Sequence, residues 1–386
     1  MKLLIINYEY PPIGGGAASA SRELAHAISN LGHSVSVLTS KTPTRSGDER
    51  DGPVQIHRVR AIRRRPDRSS IFEMLTFLVG GLIKVNRLTP NNAFDGVICF
   101  FSLPSGLIGW FLSSRYRLPF VVSLRGGDVP GLVPELKNVH KVLKAVRRKV
   151  LSKSLAVVAN SVDLRERSLF SDPFPVRVIP NGVDTKFFSP GTGNRDTSRN
   201  SKTLLFVGRL HRQKNLATLF KVLEIIERKG VFDFKLTIVG DGPERKRLET
   251  SLEGTKIYDK VEFAGWQRAD AIRNRMRVAH CLINYSLYEG LPNTVLEAMA
   301  CGLPTICSDI APHRELIAHR VTGFLVGLDD IESAAKSIAD VIVEEEVLNW
   351  VAREARKRVL EKHRWNAVAS EYLQLFDSES IATSAD

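Results

Sequence analysis

The stretch KLLIINYEYPPIGGGAASASRELAHAISNLGHSVSVLTS, residues 2–40, decides the fold. "KLLIIN" is a short apolar run of the kind that forms a strand buried on both faces. "PPIGGGA" interrupts it with turn residues. "ASASRELAHAISNL" then carries apolar residues at helical spacing, Gly32 stands where a helix C-cap belongs, and "GHSVSVLTS" is strand-like again. Strand, glycine loop, helix and strand make a βαβ unit. The opening apolar run is too short for a signal-peptide core and ends in tyrosine, glutamate and proline, so it reads as a first strand.

Working outward, "GVICFF", "PFVVSL" and "AVVANS" repeat the apolar-strand pattern between helical segments, which predicts a parallel, doubly wound sheet. Gly96 to Ser114 carries no charge and has the length of a membrane span. "LPSG" falls in its middle, so a buried strand followed by a helix is the simpler reading. Near "VRVIPNGVDTKFFSPGTGNRDTSRNSK" the composition turns to proline, glycine, serine and threonine, the mark of a domain boundary. Beyond it the alternation restarts with "TLLFVG", "FKLTIVG", "KVEFAG", "HCLINY" and "LPTICS". A second parallel α/β domain follows, and the cleft between the two is where a ligand is expected.

Bulk composition agrees. A chain of 386 residues is long for one core, and 43% apolar with 25% charged residues excludes disordered and fibrous classes. Cys99, Cys281, Cys301 and Cys307 form no CxxC pair and no zinc spacing, which points to a reducing, cytoplasmic setting. The net charge of +13 calls for an acidic partner. No zinc finger, RNA-recognition signature or aromatic-interleaved basic stripe accompanies it, so no nucleic-acid partner is expected.

Four stretches carry chemistry. Gly14, Gly15 and Gly16 lie between the first strand and its helix, where backbone can approach a phosphate or sugar, although G-x-G-x-x-G is not met and a flexible turn uses the same residues. In "VGRLHRQKNL", Arg209 and Lys214 follow a strand end, an arrangement suited to a diphosphate or to a solvated basic loop with Arg212. "VGDGPE" adds a glycine turn in which Asp241 is a turn residue. In "EGLPNTVLEAM", residues 289–299, Pro292 opens a helix; Glu289 precedes it and Glu297 lies within it. The helix N-terminus between the two carboxylates suits a nucleoside diphosphate. Glu297 would meet ribose hydroxyls, the amides of Leu291, Asn293 and Thr294 phosphate, and Glu289 the sugar. A carboxylate that merely favours the helix dipole is the alternative.

Together these residues resemble the retaining glycosyltransferases of GT-B architecture, the group 1 or family-four set. Glu289 and Glu297 match the family's paired glutamates and Arg209 and Lys214 its phosphate pair; "VIPNGVD", "IVGDGPE", "EAMACGLPTICSD" and "TGFLV" follow in order. "HRWNAVASEYLQLF" looks like the family's last helix, which crosses back to the N-terminal domain. The implied organisation is two Rossmann-like domains, 1–183 with helix 364–386 for the acceptor and 184–363 for the donor. The implied activity moves a sugar from a nucleotide diphosphate donor, UDP-sugar foremost and GDP-mannose next, to a lipid-linked or glycan acceptor in cell-surface polysaccharide or glycolipid synthesis. Retention without a metal or other cofactor is implied. A small soluble acceptor, or an epimerase or hydrolase on the same fold, is the alternative. One departure stands out: in "SLRGGDV", Arg125 occupies the position where many relatives carry histidine, while Asp128 is kept. Arginine stays protonated, so it cannot act as a base, and a negatively charged acceptor or the donor is what it would bind.

Two basic segments bear on location. "RVRAIRRRPDR" places six arginines between Arg58 and Arg68 beside the apolar "IFEMLTFLVGGLI". "KVLKAVRRKVLSK" predicts a helix with Lys141, Lys144 and Arg148 on one face and Val142, Leu143, Val146 and Val150 on another. Such surfaces suit an anionic membrane, or are ordinary solvated faces, and the first reading puts a peripheral enzyme on the inner face of the cell membrane.

Overall fold

In β1 (Lys2–Ile6) the side chains of Leu3, Leu4, Ile5 and Ile6 are wholly buried, as an apolar run flanked on both faces requires. The structure is a computed structural model that describes residues 1–42, 45–62, 71–90, 94–191 and 201–377. After β1 come α1 (Gly16–Asn30), β2 (Ser34–Ser40), β3 (Gly47–Asp51), β4 (Val54–Val59), α2 (Ile71–Leu88) and β5 (Gly96–Phe100). Then follow α3 (Ser105–Tyr116), β6 (Phe120–Leu124), α4 (Lys137–Lys153), β7 (Ala156–Ala159), α5 (Val162–Ser171) and β8 (Val176–Val178). The sheet order is β3-β4-β2-β1-β5-β6-β7-β8. β1 pairs in parallel with β2 and β5, and the outward pairs continue in parallel as far as β8. The strand order with the right-handed crossovers usual for parallel strands implies α1 on one face of the sheet and α2 through α5 on the other, and α3 contacts both α2 and α4.

The exception to the parallel pattern is β3, antiparallel to β4 at the sheet edge. Its sequence, GDERD, is almost all charge and gives no strand signal. An edge position tolerates this because the polar side chains find partners across the hairpin: Asp48 lies 2.9 Å from His57 Nδ1 and Glu49 pairs with Arg58 at 2.7 Å.

The charge-free stretch from Gly96 divides into a strand with every residue buried and the helix α3. Among the described residues no helix is long and apolar enough to cross a membrane.

After β8 the second unit comprises β9 (Ser201–Val207), α6 (Leu216–Lys229), β10 (Asp233–Val239), α7 (Arg245–Leu252), β11 (Val261–Gly265), α8 (Ala269–Val278) and β12 (Cys281–Asn284). It continues with α9 (Asn293–Ala300), β13 (Thr305–Ser308), α10 (Ala311–Leu316), β14 (Phe324–Val326), α11 (Ile331–Val343) and α12 (Glu345–Lys362). Its sheet order is β11-β10-β9-β12-β13-β14, with every neighbouring pair parallel. Phe206, Phe234 and Phe324 fill its core.

The units divide as Met1–Gly182 with Trp365–Asp386, and Val183–Arg364. The last helix, α13 (Trp365–Gln374), packs on α1 within the first unit, and Tyr372 Oη lies 2.7 Å from Ser123 Oγ at the end of β6. Two parallel α/β units of this kind, with the C-terminal helix returned to the first, make a GT-B fold.

The two basic segments are described to different extents. Arg58 is buried, donating to Glu49, to Ser40 O at 3.2 Å and to Pro11 O at 2.7 Å, so it is structural. Arg60 is exposed, and Arg63, Arg64, Arg65 and Arg68 lie outside the described residues. On α4 the expected partition fails. Val142 is 80% exposed on the same side as Lys141, whereas Val150 is buried and Arg148 pairs with Asp172 at 2.8 Å. Tertiary packing selected Arg147, Val150 and Leu151 for the inside because buried Asp172 is there to pair with Arg147, while Arg148 reaches the same carboxylate from the half-exposed side.

Candidate active site

The functional side chains of the second unit come from loops at the carboxyl ends of β9, β10, β12 and β13, the edge where open parallel sheets bind ligands. β9 ends at Val207, and the loop beyond it carries Arg209 and then Lys214, the latter in a single 3₁₀ turn, Arg212–Lys214. The glycine turn after β10 supports this loop. Gly208 N donates to Val239 O and Leu210 N to Asp241 O, both at 3.0 Å. A Cβ on Gly240 would come within 1.9 Å of Gly208 O, and one on Gly242 within 2.3 Å of Leu210 O. Two backbones approach closely here, and only glycine fits. Asp241 is the turn residue its sequence suggests, accepting from Gly242 N at 2.7 Å.

Across the loop, Lys214 Nζ is hydrogen-bonded to Glu289 Oε1. Glu289 is buried and also accepts from Ser286 Oγ at 2.7 Å and Gln213 Nε2 at 3.2 Å. Burial alone would raise its pKa, but the Lys214 ammonium, helped by the Ser286 hydroxyl, outweighs burial and holds the carboxyl below its usual range. Glu289 is therefore an ionised carboxylate locked in one orientation.

Behind it lies a polar chain with no signal in the motif. Ser286 Oγ is also 2.6 Å from Asn284 Oδ1, Ser308 Oγ donates to Ser286 O at 2.5 Å, and His313 Nδ1 lies 2.7 Å from Ser308 O. His313 is fully buried, and burial pushes its pKa down, so it is neutral. In sequence the group shows only as a serine three residues before Glu289 and as Ser308 within "EAMACGLPTICSD".

Pro292 stands at the N-cap, one position earlier than expected, and α9 begins at Asn293. Val295, Leu296, Ala298 and Met299 face the core, which leaves Asn293, Thr294 and Glu297 on the accessible side of the helix. Leu291 is buried in the loop before the helix, and Pro292 O accepts from Val295 N at 3.0 Å. The first-turn amides of such a helix point outward past its end. The second unit thus brings Arg209, Lys214, Glu289, Leu291, Asn293, Thr294 and Glu297 to one edge of one sheet.

In the first unit, Gly15 is the N-cap of α1 and Gly16 its first residue. A Cβ on Gly15 would meet nothing within 4 Å, whereas one on Gly14 would meet Ala18 and Glu9 at 2.7 Å. Steric need for glycine lies at Gly14, and Gly15 faces open space. Asp128 accepts from the amides of Ser102, Arg125 and Gly126 at 2.8, 2.9 and 3.2 Å, clamping the loops after β5 and β6 together. Arg125 stacks 3.9 Å over the Phe100 ring, and donates to Asn181 Oδ1 at 2.6 Å and Tyr372 Oη at 3.3 Å. Its guanidinium is turned towards protein partners, and burial lowers its pKa.

Two largely parallel sheets, the second with acidic and basic groups on its carboxyl-edge loops, define a protein of the GT-B class. The chain belongs to the group 1 glycosyltransferases: residues 194–358 match the family described as "Glycosyl transferases group 1", and residues 15–182 match the "Glycosyl transferase 4-like domain". It is 27% identical to an uncharacterized glycosyltransferase of Methanocaldococcus jannaschii, covering 97% of this chain and 98% of the relative. It is 28% identical to the UDP-Gal:alpha-D-GlcNAc-diphosphoundecaprenol alpha-1,3-galactosyltransferase of Escherichia coli, covering 72% and 74% of the two chains. Among solved structures, sucrose-phosphate synthase from Thermosynechococcus elongatus superposes with a TM-score of 0.83 at 22% identity, over 97% of this chain and 98% of that one. Anabaena HepE in complex with UDP and glucose superposes at 0.75 and 18% identity, over 97% and 98%. The protein is a glycosyltransferase.

Proposed function

We propose that this glycosyltransferase moves a sugar from a UDP-sugar to a lipid-linked acceptor in cell-surface polysaccharide or glycolipid synthesis, with retained anomeric configuration and without a metal. The observation that carries the reading is the Lys214–Glu289 pair beside the N-terminus of α9. The lysine, Arg209 and the first-turn amides supply positive charge for a departing diphosphate, where charge develops in the transition state. Glu289 is held ionised to meet the transferred sugar, and Glu297 faces outward for the ribose. The bond from the anomeric carbon to the diphosphate oxygen breaks, the acceptor oxygen bonds to that carbon from the same face, and its proton passes to the departing phosphate oxygen. No histidine is needed in that step, consistent with arginine at position 125. The solved relative bound to UDP and glucose and the galactosyltransferase named for a diphosphoundecaprenol substrate favour a UDP donor and a lipid-linked acceptor.

The test incubates the protein with UDP-, GDP- and ADP-sugars, with and without a polyprenyl-diphosphate sugar, and follows nucleotide release and thermal shift. UDP-sugar alone should stabilise the fold. Release should require the acceptor and persist in EDTA, and the product should keep the donor's anomeric configuration. Stabilisation by GDP-mannose alone, or rapid release without acceptor, overturns the corresponding part.

A further inference from the structure

The four side chains Phe72, Leu75, Val79 and Ile83 of α2 are 57, 55, 59 and 54% exposed. Their spacing places them on one stripe along three turns of the helix, while Phe77 and Val85 on the opposite side are wholly buried against the sheet. Scattered surface apolar residues are ordinary, but an aligned row of large ones marks an interaction surface. Ile62, 51% exposed, adjoins the row, since its amide donates to Thr76 Oγ1 at 3.1 Å. We propose that the outer face of α2 is a docking surface for an anionic lipid bilayer, into which the stripe inserts in the plane of the interface.

Charge selects this occupant. Between Arg60 and Leu88 the chain has seven lysines and arginines against two acids, and the one acid of α2, Glu73, is buried on the inner side. In the same helical layer α4 adds exposed Lys141 and Lys149 around Val142. Of the seven, Arg63, Arg64, Arg65 and Arg68 lie outside the described residues; among the described ones Arg60 and Arg87 are exposed, and an apolar stripe on a basic stretch of chain is the pattern of a helix lying in a headgroup region. A second copy of the chain fits less well, because a two-fold contact would set each basic border against its own like. The chain's own segment 63–70, RRRPDRSS, has no large apolar side chain with which to cover the stripe.

This surface deepens the lipid-linked reading by naming where the lipid phase meets the protein, and it rests on that reading for its role in catalysis. The test is co-sedimentation with vesicles of phosphatidylcholine containing 30% phosphatidylglycerol, compared with phosphatidylcholine alone, at low and high salt. Wild type should bind the anionic vesicles, and Leu75→Glu/Val79→Glu should lower partitioning at least tenfold. Leu75→Trp should blue-shift its emission on vesicle addition. The exposed positions leave the core intact, and unchanged stabilisation of the double variant by UDP checks this. Wild type left in the supernatant at low salt overturns the proposal. So does equal binding by the double variant, or a wild-type dimer that the double substitution splits. Vesicle binding without any UDP stabilisation upholds the surface and sinks the UDP donor.

Discussion

The Lys214 ammonium and the Glu289 carboxylate, 75 residues apart in the chain, form a largely buried ion pair at the carboxyl edge of the second sheet. Neither motif specifies the other. The pairing means that each residue sets the other's charge state and position, so single substitutions at the two sites are not independent.

Removing one partner should show this in stability. Lys214→Met leaves a buried carboxylate without its cation and should cost about 3 kcal/mol, whereas Lys214→Met/Glu289→Gln should cost distinctly less. Urea unfolding of the two singles and the double measures the coupling. Additive effects would show that the pair does not act as a unit.

Activity should separate the site residues by role. Arg209→Ala or Lys214→Ala should each raise the transition-state barrier by about 2 to 4 kcal/mol, the scale of one preorganised charged donor. Glu297→Ala should chiefly raise the donor KM, and Glu289→Gln should lower kcat. Steady-state kinetics on the UDP-sugar decide it, and equal, purely KM effects of both glutamate changes would contradict the division.

Acid stability should depend on Glu289 and His313. Both have depressed pKa values in the folded protein, so the unfolded chain binds more protons as pH falls. The contribution of His313 is complete above about pH 6.5 and declines below it; that of Glu289 is complete above about pH 4.5 and is lost on further acidification. A pH series of unfolding midpoints should flatten near pH 6 in His313→Gln and near pH 4 in Glu289→Gln. An unchanged profile would mean that neither group carries the linkage.

Backbone contacts make a sharper prediction for the glycines. Gly240→Ala forces a methyl into Gly208 O at a φ of +135°, and should destabilise by about 3 kcal/mol while displacing the Arg209 loop. Gly15→Ala meets nothing and should leave the melting temperature unchanged. Any loss of donor affinity in Gly15→Ala would then report a ligand passing close to that residue.

Arg125 tests whether a departure from the family pattern serves the fold. Its contacts to Asn181, Tyr372 and Phe100 predict that Arg125→Ala lowers stability by about 2 kcal/mol with little change in donor KM. A large rise in acceptor KM at unchanged stability would assign Arg125 to the ligand.

Much of this was legible in one dimension. Strands buried on both faces must be runs of apolar residues, so β1, β5, β6 and the inner halves of β9 and β10 announce themselves, and a glycine where backbones cross cannot be replaced silently. Glu289 with Glu297, and Arg209 with Lys214, were each visible as a motif near a strand end, but that Lys214 meets Glu289 was not. What the sequence could not show depends on contacts between distant segments. GDERD is a strand only because β4 offers His57 and Arg58 opposite it. Ser308 and His313 join the site only because β12 and β13 are neighbours, which sets Ser308 against the backbone of Ser286. Arg125 meets Tyr372, 247 residues away, because the last helix packs in the first unit. Helical periodicity settled that α4 is amphipathic, but Asp172 decided which face went inside, because burying arginine requires a carboxylate that only folding brings near.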